Sequence, residues 1–165
     1  MTSFVNWFAA TLGKVVAPQI AVAIVSILPL IELRGGIVLG FMLKLPLWQS
    51  IVFSLIGNII PIPFILLFVN KIFDWLRPTK HLGKLVTKLE NRALKKSDGI
   101  KKAEFIGLVL FVGIPLPGTG GWTGALIASL LKVDLKKASL AILIGIALAC
   151  TIMSLITYGV IGNIV

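Results

Sequence analysis

Charged residues are scarce in this chain, and acidic ones are the scarcest. Of 165 residues, 13% are charged, with 16 Lys and Arg against 6 Asp and Glu, whereas about a quarter of a soluble domain is charged. Hydrophobic residues make up 58%, and the mean hydropathy is +1.05. This composition excludes an ordinary soluble domain and indicates an integral membrane protein.

The side chains of most catalytic and metal sites are nearly absent as well. The one cysteine, Cys150, lies in an apolar run, and the one histidine, His81, lies in a charged segment. No intrachain disulfide, metal-ligand cluster or Ser/His/Asp arrangement is therefore supported. No GxxxxGK loop is present to bind nucleotide phosphates. We expect no enzymatic activity, no metal and no cofactor.

The N-terminal residues lack the basic region of a cleaved signal peptide, because residues 1–13 contain no Lys or Arg. Apolar side chains recur at helical spacing over residues 3–16, which predicts an amphipathic helix lying in the membrane interface. The alternative is a first transmembrane helix that runs into residue 28.

What the chain does contain is a duplicated hydrophobic unit with a broken segment near its start. The first broken segment reads PLIELRGG from Pro29, and the second reads PLPGTGGWTG from Pro115. Pro29 and Pro115 lie 86 positions apart, whereas Gly57 and Gly145 lie 88 apart, so a two-residue shift separates the pairs. This arrangement is typical of secondary transporters, and transport across a membrane is the leading hypothesis.

Segment length separates the spanning helices from shorter ones, because a spanning helix needs about 20 apolar residues. The apolar stretches on either side of each broken segment are shorter and predict a re-entrant hairpin. Residues 48–75 and 138–163 are long enough to span, and Pro61 and Pro63 predict a kink in the first. In the second, an inward polar stripe is predicted from Thr151, Ser154 and Tyr158.

The predicted fold is a single all-α integral membrane domain over residues 1–165. It has two inverted repeats, each a re-entrant helical hairpin plus one transmembrane helix. Repeat one covers about residues 17–76, a basic linker 77–103, and repeat two 104–165. Twelve Lys and Arg fall on the side of the linker and two on the other. The positive-inside rule therefore predicts a multi-pass protein of the cytoplasmic membrane with a cytoplasmic linker.

The linker carries an apolar stripe opposite its Lys and Arg residues, which predicts a helix lying on the anionic lipids of the inner leaflet. The alternative is a solvated connector. Membrane lipids are thus the expected partners, and nucleic acid is excluded because no aromatic-studded soluble module is present. Small residues on the helices permit a homodimer without requiring one.

Glu32 and Arg34 are the strongest candidates for function, since a charge within the membrane costs about 3 kcal/mol on insertion scales and usually marks a functional site. Residues two apart in a regular helix face different directions, so the two have different partners unless the segment is unwound. We predict proton coupling by Glu32 and anion binding by Arg34 with the adjacent Gly35. The alternative is a structural ion pair that holds the hairpins together.

The second broken segment carries no charge, but its glycines permit close approach of the backbone. Thr119 or Thr123 is expected to cap the following helix, whose free N–H groups favour an anion; the alternative is tight packing of small residues. The substrate-binding residues predicted here are Gly118, Thr119, Gly120, Gly121, Trp122 and Thr123. If the two broken segments meet at the middle of the membrane, the helices that follow them point into one cavity. Trp122 either gates this cavity or packs against its neighbours. Asn58 either lines the cavity or bonds backbone groups freed by Pro61.

The segments ELRGGI from Glu32 and PLPGTGGWTG from Pro115 resemble the paired motifs of the small multidrug export protein family, which is similar to the DedA/VTT membrane proteins. The resemblance covers about residues 25–160. It implies two re-entrant hairpins and proton-linked transport, of drugs by the family's name or of lipids such as polyprenyl phosphates by the wider group. Two departures stand out: Val38 stands where a proline is expected, and the second segment lacks the wider group's arginines.

Three functions remain open. The first is proton-coupled transport of an amphipathic anion such as a lipid phosphate. The second is efflux of cationic drugs, which Glu32 favours and Arg34 opposes. The third is a membrane-organising factor that does not transport and docks through its basic linker.

Overall fold

The computed structural model describes residues 17–76, 78, 83–84, 86–88, 91, 104–116 and 118–160. The helix predicted at residues 3–16 and most of the predicted linker helix lie outside these. The described chain is helical and contains no strand. Its longer helices are α1 (Pro18–Ile27), α2 (Glu32–Met42), α3 (Leu47–Ile59), α4 (Pro61–Leu76), α5 (Glu104–Gly113), α6 (Gly121–Leu130) and α7 (Leu135–Ser154), which continues as a π-helix (Leu155–Val160).

The helices form two compact units. Unit 1 contains α1, α2 and α3 together with the chain from Ala147 onward, and unit 2 runs from Pro61 to Ile146. In unit 1, α1, α2 and α3 all pack on one another, and α2 also contacts the π-helix. In unit 2, α6 packs on α4 and α5.

The helices recur in the order short, short, long at a nearly constant offset. α5 begins and ends 86 residues after α1, whereas α7 begins 88 residues after α3. The segment between the short helices is three residues longer in the second repeat, 114–120 against 28–31, and α6 is one residue shorter than α2, which together give the two-residue shift. The duplication inferred from the sequence therefore recurs in the order of elements. Inversion of the second repeat and re-entry of the hairpins stay predictions.

Pro29 sets the first break. Leu28 has an extended backbone with φ −68° and ψ 130°, as expected before a proline, and α1 ends there. Leu30 and Glu32 then adopt positive φ angles of 75° and 53°, which cost an L-residue about 1 kcal/mol or more. From Glu32 onward α2 runs unbroken through Val38, where no proline interrupts it.

The second short helix of each unit ends in the same backbone motif. Lys44 and Lys132, which are 88 positions apart, adopt left-handed φ angles of 57° and 55°. In both, the lysine N–H and the next N–H close back onto the last turn, as in a Schellman motif. The donor–acceptor pairs are Lys44–Phe41, Leu45–Gly40, Lys132–Ser129 and Val133–Ala128, at 2.9–3.1 Å.

A glycine on each long helix lies against the backbone of the first short helix. A Cβ added to Gly57 would overlap the carbonyl oxygen of Ala23 on α1. A Cβ added to Gly145 would lie 2.9 Å from the carbonyl oxygen of Val109 on α5. Ala23 and Val109 are 86 positions apart and the glycines 88 apart, so the same close contact occurs in both units at the offsets of the duplication.

Within the described part of the chain, two helical stretches are long and apolar enough to span a membrane, Leu47–Val69 and Leu135–Val160. The first passes from α3 to α4 at Ile60, because Pro61 has no N–H to continue the hydrogen-bond ladder. The helix is therefore interrupted at the prolines, and the kink predicted there stays a prediction. The outer faces expose large apolar side chains, which suits contact with lipid; they include Trp48, Phe64, Trp75, Leu140 and Leu155.

The polar stripe predicted on the last helix is partly wrong. Ser154 is buried, but Thr151 is exposed and donates a hydrogen bond to the carbonyl of Ala147 at 3.0 Å. The polar residue buried beyond Ser154 is Thr157. The helix widens into a π-helix at Leu155, and the additional residue per turn changes which side chains face inward.

The described part of the linker has the polarity expected of the predicted amphipathic helix. Lys84 and Lys88 are exposed, whereas Val86 is buried. The Thr87 hydroxyl donates to the carbonyl of Gly83, one turn earlier, at 3.0 Å. Val86 is covered by protein, so at this position the apolar stripe packs on the rest of the chain.

We predict that Gly57→Ala lowers the stability of the protein by about 1–3 kcal/mol, the usual cost of overpacking. The added methyl group would meet a backbone oxygen, which cannot rotate away as a side chain can. Gly159→Ala is the control, because nothing lies within 4 Å of its added Cβ. Thermal unfolding in detergent measures both, and an equal melting temperature for Gly57→Ala and the wild type would contradict the contact.

Candidate functional site

A buried polar face on α3 forms the base of the candidate site in unit 1. Ser50, Ser54 and Asn58 follow one another at four-residue spacing, and each is 0% exposed. The residues 88 positions later on α7 are equally buried but apolar: Ala138, Ile142 and Ile146. The two repeats therefore bury the same helix face, and repeat one fills it with hydroxyl and amide groups.

Glycines on α2 let this face approach closely. A Cβ at Gly40 would overlap the hydroxyl of Ser50, and one at Gly36 would meet the hydroxyls of Ser54 and of Ser26 on α1. The Ser26 hydroxyl donates to the carbonyl of Val22 at 2.8 Å. Hydroxyl groups from two helices therefore converge on the backbone of α2 at Gly36.

The register of α2 against α3 leads to Glu32. Gly40 lies against Ser50 and Gly36 against Ser54, so the two helices run antiparallel. One further turn along each helix places Glu32 at the level of Asn58. Glu32 is 3% exposed, which makes it a carboxylic acid buried at the start of α2.

Arg34 completes the first tip. Its side chain is half-buried and interacts electrostatically with Glu32. Glu32 has a left-handed backbone (φ 53°), which departs from the regular helix in which the two side chains would point apart. Gly35 is half-buried between the polar residues, and a Cβ there would overlap the side chain of Ile31.

Tyr158 of the π-helix joins this face at its other end. Its hydroxyl donates to the carbonyl of Leu45 at 2.9 Å and lies 2.6 Å from the hydroxyl of Ser50. Its ring meets Phe41 of α2 edge to face, with the ring centroids 5.2 Å apart. Tyr158 thereby ties the C-terminal segment to the α2–α3 turn.

Several buried polar atoms make no hydrogen bond within the described part of the chain. They are Ser54 Oγ, both side-chain atoms of Asn58, Ser154 Oγ and Thr157 Oγ1. All lie in unit 1. Ser154 has the thiol of Cys150 nearby, a weak partner at best. Asn58 therefore does not bond the backbone groups freed by Pro61, which was one of its two predicted roles.

The second tip belongs to unit 2 and is built from backbone. Gly118 and Gly120 have φ angles of 73° and 139°, which glycine alone adopts readily. Gly120 precedes α6 and no side chain caps that helix, so the expectation that Thr119 or Thr123 caps it is wrong. The Thr119 hydroxyl instead donates to the carbonyls of Ile114 and Leu116, at 3.0 and 2.9 Å, and closes the tip.

The remaining predicted residues of this tip follow at the start of α6. Gly121 is buried, whereas Trp122 and Thr123 are half-buried. Gly124, one turn on, lies against Val112 of α5. This pair matches Gly36 and Ser26 of unit 1 at the offsets of the duplication, with a valine in place of the serine.

Sequence reasoning missed Ser26, Ser50, Ser54 and Thr157. The available signal was the four-residue spacing of Ser50, Ser54 and Asn58, read against the apolar residues 88 positions later. Thr157 had no such signal, because its burial depends on the π-helix. No group of three or more metal-ligating side chains occurs among the described residues.

Two long apolar helices, outward apolar faces and buried polar groups define the class as a helical membrane protein. The model of the family described as "Putative small multi-drug export protein" matches residues 32–152, nearly three quarters of the chain. The chain belongs to this family, and the match begins at Glu32 itself. No curated protein and no solved structure gives a significant match. A relation to the DedA/VTT proteins stays a prediction.

We predict that Ser50 and Tyr158 are energetically coupled. Ser50→Ala and Tyr158→Phe should each lower the free energy of unfolding by about 1 kcal/mol, because each removes a hydrogen-bond partner from a buried site. The double variant should lose about 0.6–1 kcal/mol less than the sum, the usual coupling between membrane helices. Unfolding of the four proteins in detergent measures this, and strictly additive losses would contradict the bond.

Proposed function

We propose that this protein is a small proton-coupled transporter that moves an amphipathic anion, such as a lipid phosphate, across the cytoplasmic membrane. The observation that carries the proposal is the buried Glu32 beside the half-buried Arg34 at the first tip. A membrane location and the name of the family support transport in general. The substrate and the coupling ion are the proposed part.

Arg34 supplies the anion-binding group. Its guanidinium holds a fixed positive charge and donates hydrogen bonds in a planar fork that matches two phosphate oxygens. It lies in the first turn of α2, where the positive end of the helix dipole also favours an anion.

Glu32 supplies the coupling through competition for Arg34. When Glu32 is ionised, its carboxylate occupies the electrostatic field of the arginine. When Glu32 takes up a proton, the arginine charge becomes available to a phosphate. Binding of a proton and binding of an anion therefore favour each other, and their joint movement keeps the buried charge balanced.

The arrangement in the membrane that we propose follows the charge distribution. The basic linker lies in the cytoplasm on anionic inner-leaflet lipids, and the hairpins of two inverted repeats re-enter from opposite faces. Two copies of the chain pack through small residues as a homodimer. The protein has no enzymatic activity and no nucleic-acid partner in this proposal.

Efflux of cationic drugs is the second candidate, and the name of the family favours it. Glu32 is a group that a cation would need. Arg34 in its immediate field opposes a cation, however, because the pair is already neutral. Resistance of cells that overproduce the protein separates the two candidates, since anion transport predicts unchanged inhibitory concentrations of cationic drugs.

The test uses proteoliposomes that contain a fluorescent prenyl phosphate and a pH gradient. Movement between leaflets is measured as the fraction of lipid that an external quencher reaches. Arg34→Ala should slow the movement about 10- to 100-fold, which corresponds to about 1.5–3 kcal/mol for hydrogen bonds to a charged group. Glu32→Gln should leave any residual movement indifferent to the gradient.

Lys44→Asn is the matched control, because it also removes one positive charge from unit 1 and keeps a residue that tolerates the left-handed backbone. Its transport should equal that of the wild type. Equal transport by Arg34→Ala and wild type, in protein that still folds, would remove Arg34 and the anion from the mechanism.

A further inference from the structure

We propose that unit 1 contains a hydrated cavity along the polar face of α3, lined by Ser54 and Asn58, and that its water reaches Glu32. The site assigned here binds water. Only the transfer of protons by this water to Glu32 rests on the proposed function.

Burying the polar atoms of this face without a hydrogen bond would destabilise the folded protein. A buried polar group without a hydrogen bond costs about 1–3 kcal/mol, so native proteins satisfy such groups with protein or with ordered water. Unit 1 buries the hydroxyls of Ser54 and Thr157 and the whole amide of Asn58 without a protein partner among the described residues. An internal water typically makes about three hydrogen bonds to groups of this kind.

The equivalent helix face in unit 2 is apolar. The same helix face is packed there by Ala138, Ile142 and Ile146, which are 0–1% exposed and carry no polar atom to hydrate. All of the unsatisfied atoms found among the described residues lie in unit 1. On this helix face the two units differ in polarity, and the buried polar groups that can bind water lie in unit 1.

The polar face of α3 runs toward Glu32. The register of Gly40 on Ser50 and Gly36 on Ser54 continues to Asn58 at the level of Glu32. The face thus runs from the hydroxyl pair of Ser50 and Tyr158 toward the buried carboxyl group. Water along it supplies the path by which a proton reaches a carboxyl group that is 3% exposed.

The charged residues described in unit 1 are Glu32, Arg34 and Lys44, and its further titratable groups are Tyr158 and Cys150. Lys44 is exposed, whereas Arg34 interacts with Glu32 directly. Water beside Glu32 therefore meets a carboxyl group whose nearest fixed charge is positive.

Silver ions test hydration at matched positions. In a Cys150→Ala background, Ser54→Cys and Ile142→Cys place one thiol at equivalent buried positions of the two units. Ag⁺ is small, enters by water and reacts with thiolates, which form only where water is present. Thiols that silver leaves free are counted by mass spectrometry after unfolding and maleimide labelling of the full-length protein in liposomes.

The thiol of Ser54→Cys should be blocked at least about ten times faster than that of Ile142→Cys, because thiolate forms only in the hydrated unit. The control is biased against this result, since truncating isoleucine opens extra space at position 142. Asn58→Cys and Ile146→Cys are a second matched pair if either first variant fails to fold. Equal, slow blocking in both units would overturn the cavity.

Adding Glu32→Gln to Ser54→Cys separates this proposal from the proposed function. Fast silver reaction with gradient-dependent transport lost supports both the cavity and the coupling. Fast reaction with gradient-dependent transport retained keeps the cavity and overturns the delivery of protons to Glu32. Slow reaction with transport lost on Glu32→Gln overturns the cavity and leaves the role of Glu32 intact.

Discussion

Close contact between a glycine on the long helix and the backbone of the first short helix sets the spacing within both units. Helices in lipid gain little from the hydrophobic effect, so they associate through packing and hydrogen bonds that require close approach. Gly57 against Ala23 and Gly145 against Val109 provide that approach in the same way. On the second short helix, Gly36 and Gly124 instead lie against side chains of the first, those of Ser26 and Val112. With the backbones this close, the side chains between them decide whether the interior is dry or polar.

The interiors of the two units differ in polarity. In unit 2, Val112, Ile142 and Ile146 fill the interior, and the tip is closed by backbone and the Thr119 hydroxyl. In unit 1, Ser26, Ser54 and Asn58 occupy the corresponding places beneath Glu32. We propose that the apolar unit serves as the rigid part and the polar unit as the binding part. Proton-coupled movement of an anion requires a polar interior in at least one of the two units.

The sequence was sufficient to predict the class, the duplication and the helix breaks, because these follow from composition, offset and proline chemistry. Pro29 ends α1, as predicted, and Pro61 interrupts the first long helix. The sequence did not predict features that depend on the three-dimensional arrangement of the chain. Thr151 faces outward on the α-helical part of α7, the π-helix turns Thr157 inward, and Thr119 bonds within its own tip instead of capping α6. Glu32 and Arg34 were predictable as residues, but Glu32 has a left-handed backbone that no propensity indicates.

The central claim is that the carboxyl group of Glu32 exchanges its proton and responds to the anion. Infrared difference spectroscopy of the reconstituted protein, with Glu32→Gln as reference, detects the carbonyl stretch of that one protonated acid. We expect a band that Glu32→Gln lacks, that disappears as the pH rises, and that grows when a lipid phosphate is added, because the anion takes the place of the carboxylate beside Arg34. A Glu32 carboxylate that stays ionised at every pH and ignores the lipid would mark a structural ion pair and contradict the account.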